Sequence, residues 1–160
     1  MTKQAGGQET PSSRIEDHIE IEALLYKYCH ALDRGTIDAV AALFHRDAAL
    51  MPAYESDERY EGRDAVRGWY ETYDKNLRAN VRYLRHKATC PVIEISGNTA
   101  TSVSYLDGEA ILNGTDEPTV IIGRYDDEFV RDEGRWWFKE RTIHIHYSYQ
   151  GWKYAPGREY

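Results

Sequence analysis

The order of hydrophobic patterns predicts an α+β fold, with three helices first and a strongly bent sheet built from the rest. Apolar residues at helical spacing dominate the chain up to about residue 80. Four long β-rich runs follow, separated by turn residues. Helices first and strands last is the α+β order. A length of 160 residues suits one domain with a sizeable core.

Each element has a local reason. Ser12 and Ser13 precede an amphipathic run, and Glu16 lies three residues after Ser13, a capping-box signature. Ile15, Ile19, Leu25 and Leu32, with Leu24 and Tyr28 beside them, keep helical spacing, so a first helix is expected to reach Arg34 and stop at Gly35. Thr36 can cap a shorter second helix that turns Ile37, Val40 and Leu43 or Phe44 inward. Residues 48–54 read as extended, and Gly62 precedes a third helix over 63–80. The strand-like runs cover 83–95, 99–112, 119–131 and 135–149, with turns at Ser96-Gly97-Asn98, Asn113-Gly114 and Asp132-Glu133-Gly134. Such long strands must bend strongly to enclose the helices. Pro91, inside the first long run, marks a bulge or an edge. Residues 1–13 are small and polar, lack a signal peptide's apolar stretch and read as a disordered tail. Residues 14–150 form the domain, and 151–160 form a C-terminal extension.

Composition narrows the function. Net charge is −7 and no basic stripe is visible, which argues against nucleic acid. No run approaches the roughly 18 apolar residues of a membrane span. Cys29 and Cys90 sit in apolar-patterned segments and read as buried free thiols of a cytoplasmic protein. Aromatic usage is unusual, with 13 Tyr and 4 Trp against 3 Phe. Tyrosine combines apolar area with a polar tip and suits a pocket for a flat, partly oxygenated ligand, or equally a surface or subunit contact. His144 and His146 are two apart on a strand-like run, a spacing that can bind metal, yet a third ligand is missing and no metal is expected. The chain has no GxSxG, P-loop or GxGxxG motif, so seryl hydrolysis, nucleotide phosphate binding and dinucleotide redox chemistry lack support.

Several segments in order carry a resemblance. They are residues 21–35, from Ile21 through Tyr28 to Asp33-Arg34-Gly35; Leu43-Phe44-His45-Arg46-Asp47-Ala48; Tyr60-Glu61-Gly62-Arg63-Asp64-Ala65-Val66; Leu84-Arg85-His86; Gly123-Arg124-Tyr125-Asp126-Asp127-Glu128-Phe129; and Gly134-Arg135-Trp136-Trp137-Phe138-Lys139-Glu140-Arg141. Together they resemble the SnoaL-like branch of the nuclear transport factor 2-like superfamily, over about residues 14–150. The similar patterns are those of scytalone dehydratase, hexachlorocyclohexane dehydrochlorinase and bile-acid dehydratase. The resemblance implies a cone-shaped α+β barrel, three helices enclosed by a strongly curved antiparallel or mixed sheet. It also implies a cofactor-free lyase and a homodimer or homotrimer. The superfamily holds isomerases, cyclases and non-catalytic subunits as well, so fold alone does not choose the reaction.

Carried over position by position, the resemblance implies catalytic roles for Asp33, His86, Tyr28 and Arg141. Elimination needs a base for a C–H proton and help for the leaving group. Neutral histidine is the common base near pH 7, and a carboxylate on its other nitrogen fixes the tautomer. An acid is poorly placed at the negative end of a helix dipole, which favours a functional reason for Asp33. Strand alternation groups His86 with Ala88, Cys90 and Val92, an inward apolar set, and puts Arg85 and Lys87 on the other face. Tyr28 can polarise an oxygen or simply pack in the core. Arg141 can hold negative charge on substrate or leaving group, or form a surface salt bridge. Tyr54, Tyr105, Asp107 and Glu109 are candidate substrate-binding groups. The expected activity is loss of water, halide or a small carbonyl fragment from a small cyclic or aromatic, oxygenated substrate. An isomerase or cyclase in the same pocket, or a non-catalytic binding or assembly subunit, are the alternatives.

Overall fold

The computed structural model describes residues 11–150, with side chains from Arg14 onward. Residues 1–10 of the expected tail and the C-terminal extension lie outside the described residues, as do the side chains of the Ser12/Ser13 capping signature, whereas the backbone of residues 11–13 already belongs to the first helix. Helix α1 spans Pro11–Arg34, α2 spans Ile37–Ala41 and α3 spans Arg63–Asn76, followed by a 3-10 turn at Arg78–Asn80. The strands are β1 Phe44–Pro52, β2 Tyr60–Glu61, β3 Val81–Ser96, β4 Thr99–Leu112, β5 Pro118–Asp132 and β6 Arg135–Gln150. They form one mixed sheet in the order β2-β1-β6-β5-β4-β3, with β1 parallel to β6 and the other neighbours antiparallel. The sheet curves around the helices without closing, so β2 and β3 are its edges.

The core lies between the helices and the concave face. Ile21, Leu24, Leu25, Tyr28, Cys29 and Leu32 of α1 are buried, whereas Ile15 and Ile19 are exposed. The inward stripe of α1 therefore begins one turn later than the sequence spacing suggests. The first turns are held instead by Asp17, a buried carboxylate that accepts bonds from Trp136 Nε1 at 2.9 Å and from Arg131. All three phenylalanines are buried, Phe138 packing against Phe44 and Phe129 with centroids 5.2 and 5.1 Å away. Thr36 caps α2 by accepting from the Ala39 N–H at 3.1 Å. Phe44 belongs to β1 rather than α2, and α3 ends at Asn76, four residues earlier than expected.

Two bulges shape β3. Its register with β4 shifts between Arg82 and Arg85 and again between Thr89 and Val92, where Tyr83 and Cys90 have φ of 55° and 51°. Each bulge inserts a residue and moves later side chains to the opposite face. Ala88 is buried as the alternation predicts, but Cys90 is exposed and Val92 is 66% exposed, while Ile93 and Ile95 turn inward. The expectation that His86, Ala88, Cys90 and Val92 share one inner face thus holds only up to Ala88, and Cys90 is not a buried thiol. Val92, Val103, Tyr105 and Tyr147 stand exposed on the convex face. No helix among the described residues is long and apolar enough to cross a membrane.

The β5–β6 pairing also bulges, between Ile122 and Gly123. A Cβ on Gly123 would collide with the backbone carbonyl of His144. Gly123→Ala is expected to cost about 2 kcal/mol or more and to lower Tm by about 5 °C, read by thermal or urea unfolding. A variant as stable as wild type would show that this bulge relaxes freely.

Candidate active site

Asp33 and His86 meet where the C-terminal end of α1 lies along edge strand β3. Nδ1 of His86 is 2.7 Å from Oδ1 of Asp33. The backbone N–H of His86 also donates to both carboxylate oxygens, at 3.1 and 3.0 Å. An edge strand has N–H groups without a neighbouring strand, and here a carboxylate takes that place. The side chains of His86 and Asp33 are 8% and 5% exposed. An ionised carboxylate can only accept, so Nδ1 carries the hydrogen, and in the neutral ring Nε2 then keeps its lone pair.

The end of α1 is itself fixed. Arg78 donates to the carbonyls of Leu32 at 3.3 Å and Gly35 at 2.7 Å, and pairs with Asp74 at 3.2 Å. Its positive charge at the carbonyl end offsets the cost of an acid there. Gly35 is needed because a Cβ would sit 2.7 Å from the Ala31 carbonyl oxygen. Arg78 escaped the sequence reading, because nothing in the helical pattern of α3 signals that the following turn reaches back to α1.

His86 lines a cavity of about 170 Å³ between α3 and the open end of the sheet. Leu77, Val81, Leu84, Ala110, Leu112 and Ile121 supply apolar walls, and Tyr73, Thr119, Ser148 and Gln150 add polar groups. Gly108 is the β4 partner of His86, and a Cβ there would lie 3.6 Å from Nε2. The missing side chain leaves room at the free nitrogen. An engineered cavity of about 150 Å³ holds benzene, so this one accommodates a single six-membered ring.

Tyr28 and Arg141 do not line this cavity. The Tyr28 hydroxyl lies 2.8 Å from that of Tyr70, and both residues are wholly buried. Burial pushes the Tyr28 phenol above its ordinary range, against the nearby Arg141 charge. Arg141 is 0% exposed and donates from Nε and Nη2 to the two oxygens of Asp127 at 2.7 and 2.8 Å. Its guanidinium also lies 3.9 Å from the Tyr28 ring centre, 4.1 Å from that of Tyr125 and 4.3 Å from that of Phe138. Burial raises Asp127 and opposes the Arg141 cation, yet the bidentate geometry is that of an ion pair, and Asp127 holds Arg141 protonated. The Tyr28 hydroxyl and Arg141 Nε and Nη2 are thus bonded within the core beneath the site, whereas Arg141 Nη1 is buried with no hydrogen-bond partner among the described residues.

The substrate-binding candidates divide. Tyr54 lines an open groove outside the cavity, with Trp69 and Tyr73. Glu109 borders the cavity, but Lys87 and Arg85 hold its carboxylate at 2.7 and 2.6 Å and keep it below the usual carboxylate range. Tyr105 is 61% exposed on the convex face, so β4 alternation removes it from the interior. Asp107 shares that parity. His144 Nε2 lies 3.1 Å from Asp126, and among the described residues no group of three ligating side chains gathers.

The chain belongs to the SnoaL-like domain family, whose pattern matches residues 13–142. A search of the curated proteins found no match. Among solved structures the chain is similar to the Novosphingobium aromaticivorans protein named "Putative Scytalone Dehydratase", with 22% identity, coverage of 88% of this chain and 91% of that one, and a TM-score of 0.77. It is similar to the protein from that organism named "Putative Aromatic Ring Hydroxylase", with 25% identity, coverage of 90% and 97%, and a TM-score of 0.72. Hexachlorocyclohexane dehydrochlorinase LinA-type3 from Novosphingobium barchaimii shows 16% identity, coverage of 94% and 98%, and a TM-score of 0.73. The cone-like α+β architecture expected from sequence is the fold these proteins share.

The buried ion pair gives a stability test. Asp127→Ala strands the Arg141 charge and is expected to cost about 3–5 kcal/mol, whereas Asp127→Ala combined with Arg141→Met recovers most of that loss. Equal unfolding midpoints for Asp127→Ala and wild type would contradict the pairing.

Proposed function

We propose that the protein is a cofactor-independent lyase acting on a small cyclic or aromatic, oxygenated or halogenated molecule, with His86 as the base. The observation that carries this reading is the Asp33–His86 pair, whose free Nε2 opens on a single-ring cavity beside Gly108. Neutral His86 takes a proton from a ring carbon. The C–H electron pair becomes a C=C bond, and the bond to the leaving group on the adjacent carbon breaks. Halide departs as the anion, and a hydroxyl departs as water with the proton that the His86 imidazolium returns to it. Asp33 stabilises the imidazolium that forms and keeps its orientation. Mostly apolar walls keep bulk water away from that charge pair. Tyr28 and Arg141 support the pocket from beneath. The names of two structural neighbours, a dehydratase and a dehydrochlorinase, support elimination chemistry.

An isomerase uses the same base, returning the proton to the substrate. One observation favours keeping this second reading: a mostly apolar cavity holding one base retains an abstracted proton. We also propose a homo-oligomer that covers Val92, Val103, Tyr105 and Tyr147 on the convex face, where exposed apolar side chains cluster.

The test is a screen of hydroxylated and halogenated single-ring compounds in D2O. Elimination gives an unsaturated product, whereas isomerisation gives deuterium incorporation without a leaving group. His86→Ala is expected to lower kcat by about 10²–10⁴-fold, and Asp33→Asn by about tenfold or more, with folding intact. Turnover that survives His86→Ala unchanged would end the proposal.

A further inference from the structure

A tyrosine of the cavity wall carries a buried hydroxyl that the dyad does not use. Tyr73 projects from α3 and lines both the His86 cavity and the outer groove of Tyr54 and Trp69. Its hydroxyl is buried and has no hydrogen-bond partner among the described residues. The neighbouring hydroxyl of Tyr28, by contrast, is bonded to Tyr70. A buried hydroxyl left unpaired is costly, so its persistence beside a cavity points to a partner that arrives with the ligand.

The ring is held in place before any ligand binds. Trp69 stacks on it with centroids 5.7 Å apart and planes inclined by 22°, and Tyr70 meets it edge-on at 6.4 Å. Trp69 is itself tied by its Nε1–H to Glu55 at 3.2 Å. Burial, with Tyr28 and the Asp33 carboxylate nearby, pushes the Tyr73 phenol well above its ordinary range, against the opposing charge of Arg78. The group is therefore a neutral donor at physiological pH. A donor fixed in advance in an apolar site is the arrangement that stabilises developing charge on oxygen.

We infer that Tyr73 is the hydrogen-bond donor to the substrate, and that the ligand is a single ring bearing a carbonyl or hydroxyl oxygen toward α3 while its carbon acid faces His86. This rests on the reading of the His86 cavity as the active site. The oxygen accepts from Tyr73 as the C–H bond breaks. Where it is a carbonyl, charge moving into the ring is spread as an enolate onto an oxygen already hydrogen-bonded, and where it is a hydroxyl, the bond fixes the ring's orientation. The phenol keeps its own proton, and His86 alone takes the proton from carbon.

The test uses cyclohexanone and its isostere methylenecyclohexane, which differ in a C=O against a C=CH2 group. Binding is followed by NMR of the His86 imidazole resonances in wild type and Tyr73→Phe. Wild type is expected to bind the ketone about tenfold tighter, the worth of one hydrogen bond. Tyr73→Phe is expected to bind the two alike and to unfold at the same or a higher temperature, since it removes an unpaired hydroxyl. A ketone preference that persists in Tyr73→Phe, with His86 still responding, overturns the Tyr73 role and leaves the cavity reading standing. A lowered unfolding temperature for Tyr73→Phe overturns the premise that the hydroxyl is unpaired. If neither compound moves the His86 resonances, the cavity reading falls, and the Tyr73 role falls with it.

Discussion

One carboxylate binds the backbone and the side chain of the same histidine, and the geometry of the site depends on that contact. Asp33 accepts the His86 N–H with both oxygens and the imidazole N–H with one. The first contact pins the helix end to the sheet edge, and the second orients the ring. The same interaction therefore closes a structural gap at an unpaired strand edge and sets the histidine tautomer. It also explains an acid at the wrong end of a helix. Arg78 and the edge N–H compensate locally for what the helix dipole disfavours.

Beneath this site the core holds several buried polar side chains that pair with one another, although Arg141 Nη1 has no partner among the described residues. Arg141 lies among three aromatic rings and is neutralised by Asp127, and Tyr28 is bonded to Tyr70. Buried pairs of this kind add little net stability over apolar packing, but losing one partner is severe. They fix which residues face inward on β5 and β6. The bulge between Ile122 and Gly123 then resets the pairing and places Thr119, Ile121, Ser148 and Gln150 around the cavity.

Much of this was legible in the sequence. Helical spacing and turn residues placed α1, α2 and the four long strands to within a few residues, and Pro91 marked a strand that is both edge and bulged. The Asp33–His86 contact followed from motif resemblance and local alternation, because no bulge intervenes between His86 and Ala88. Alternation failed beyond Thr89, since the bulge at Cys90 depends on a backbone dihedral that composition does not reveal. Tyr28 was recognisable as a core residue, whereas the ion pair of Arg141 was expected at the surface and is wholly buried. Their partners Tyr70 and Asp127 lie 42 and 14 residues away, and pairings of that kind are made only by the fold. Tyr73 was hidden for the opposite reason. It follows Val66, Trp69 and Tyr70 at core spacing and reads as packing, and only the three-dimensional structure shows that the residue lines the cavity while its hydroxyl is buried and unpaired.

The central claim is that Asp33 holds His86 as the neutral Nδ1–H tautomer with Nε2 free toward the cavity. Long-range 15N–1H correlation spectra of the imidazole test this most directly, at a pH where the ring is neutral, in wild type and in Asp33→Asn. The account predicts a single Nδ1–H form in wild type and a mixed or reversed tautomer in the variant. An Nε2–H form in wild type, or spectra unaffected by Asp33→Asn, would contradict it.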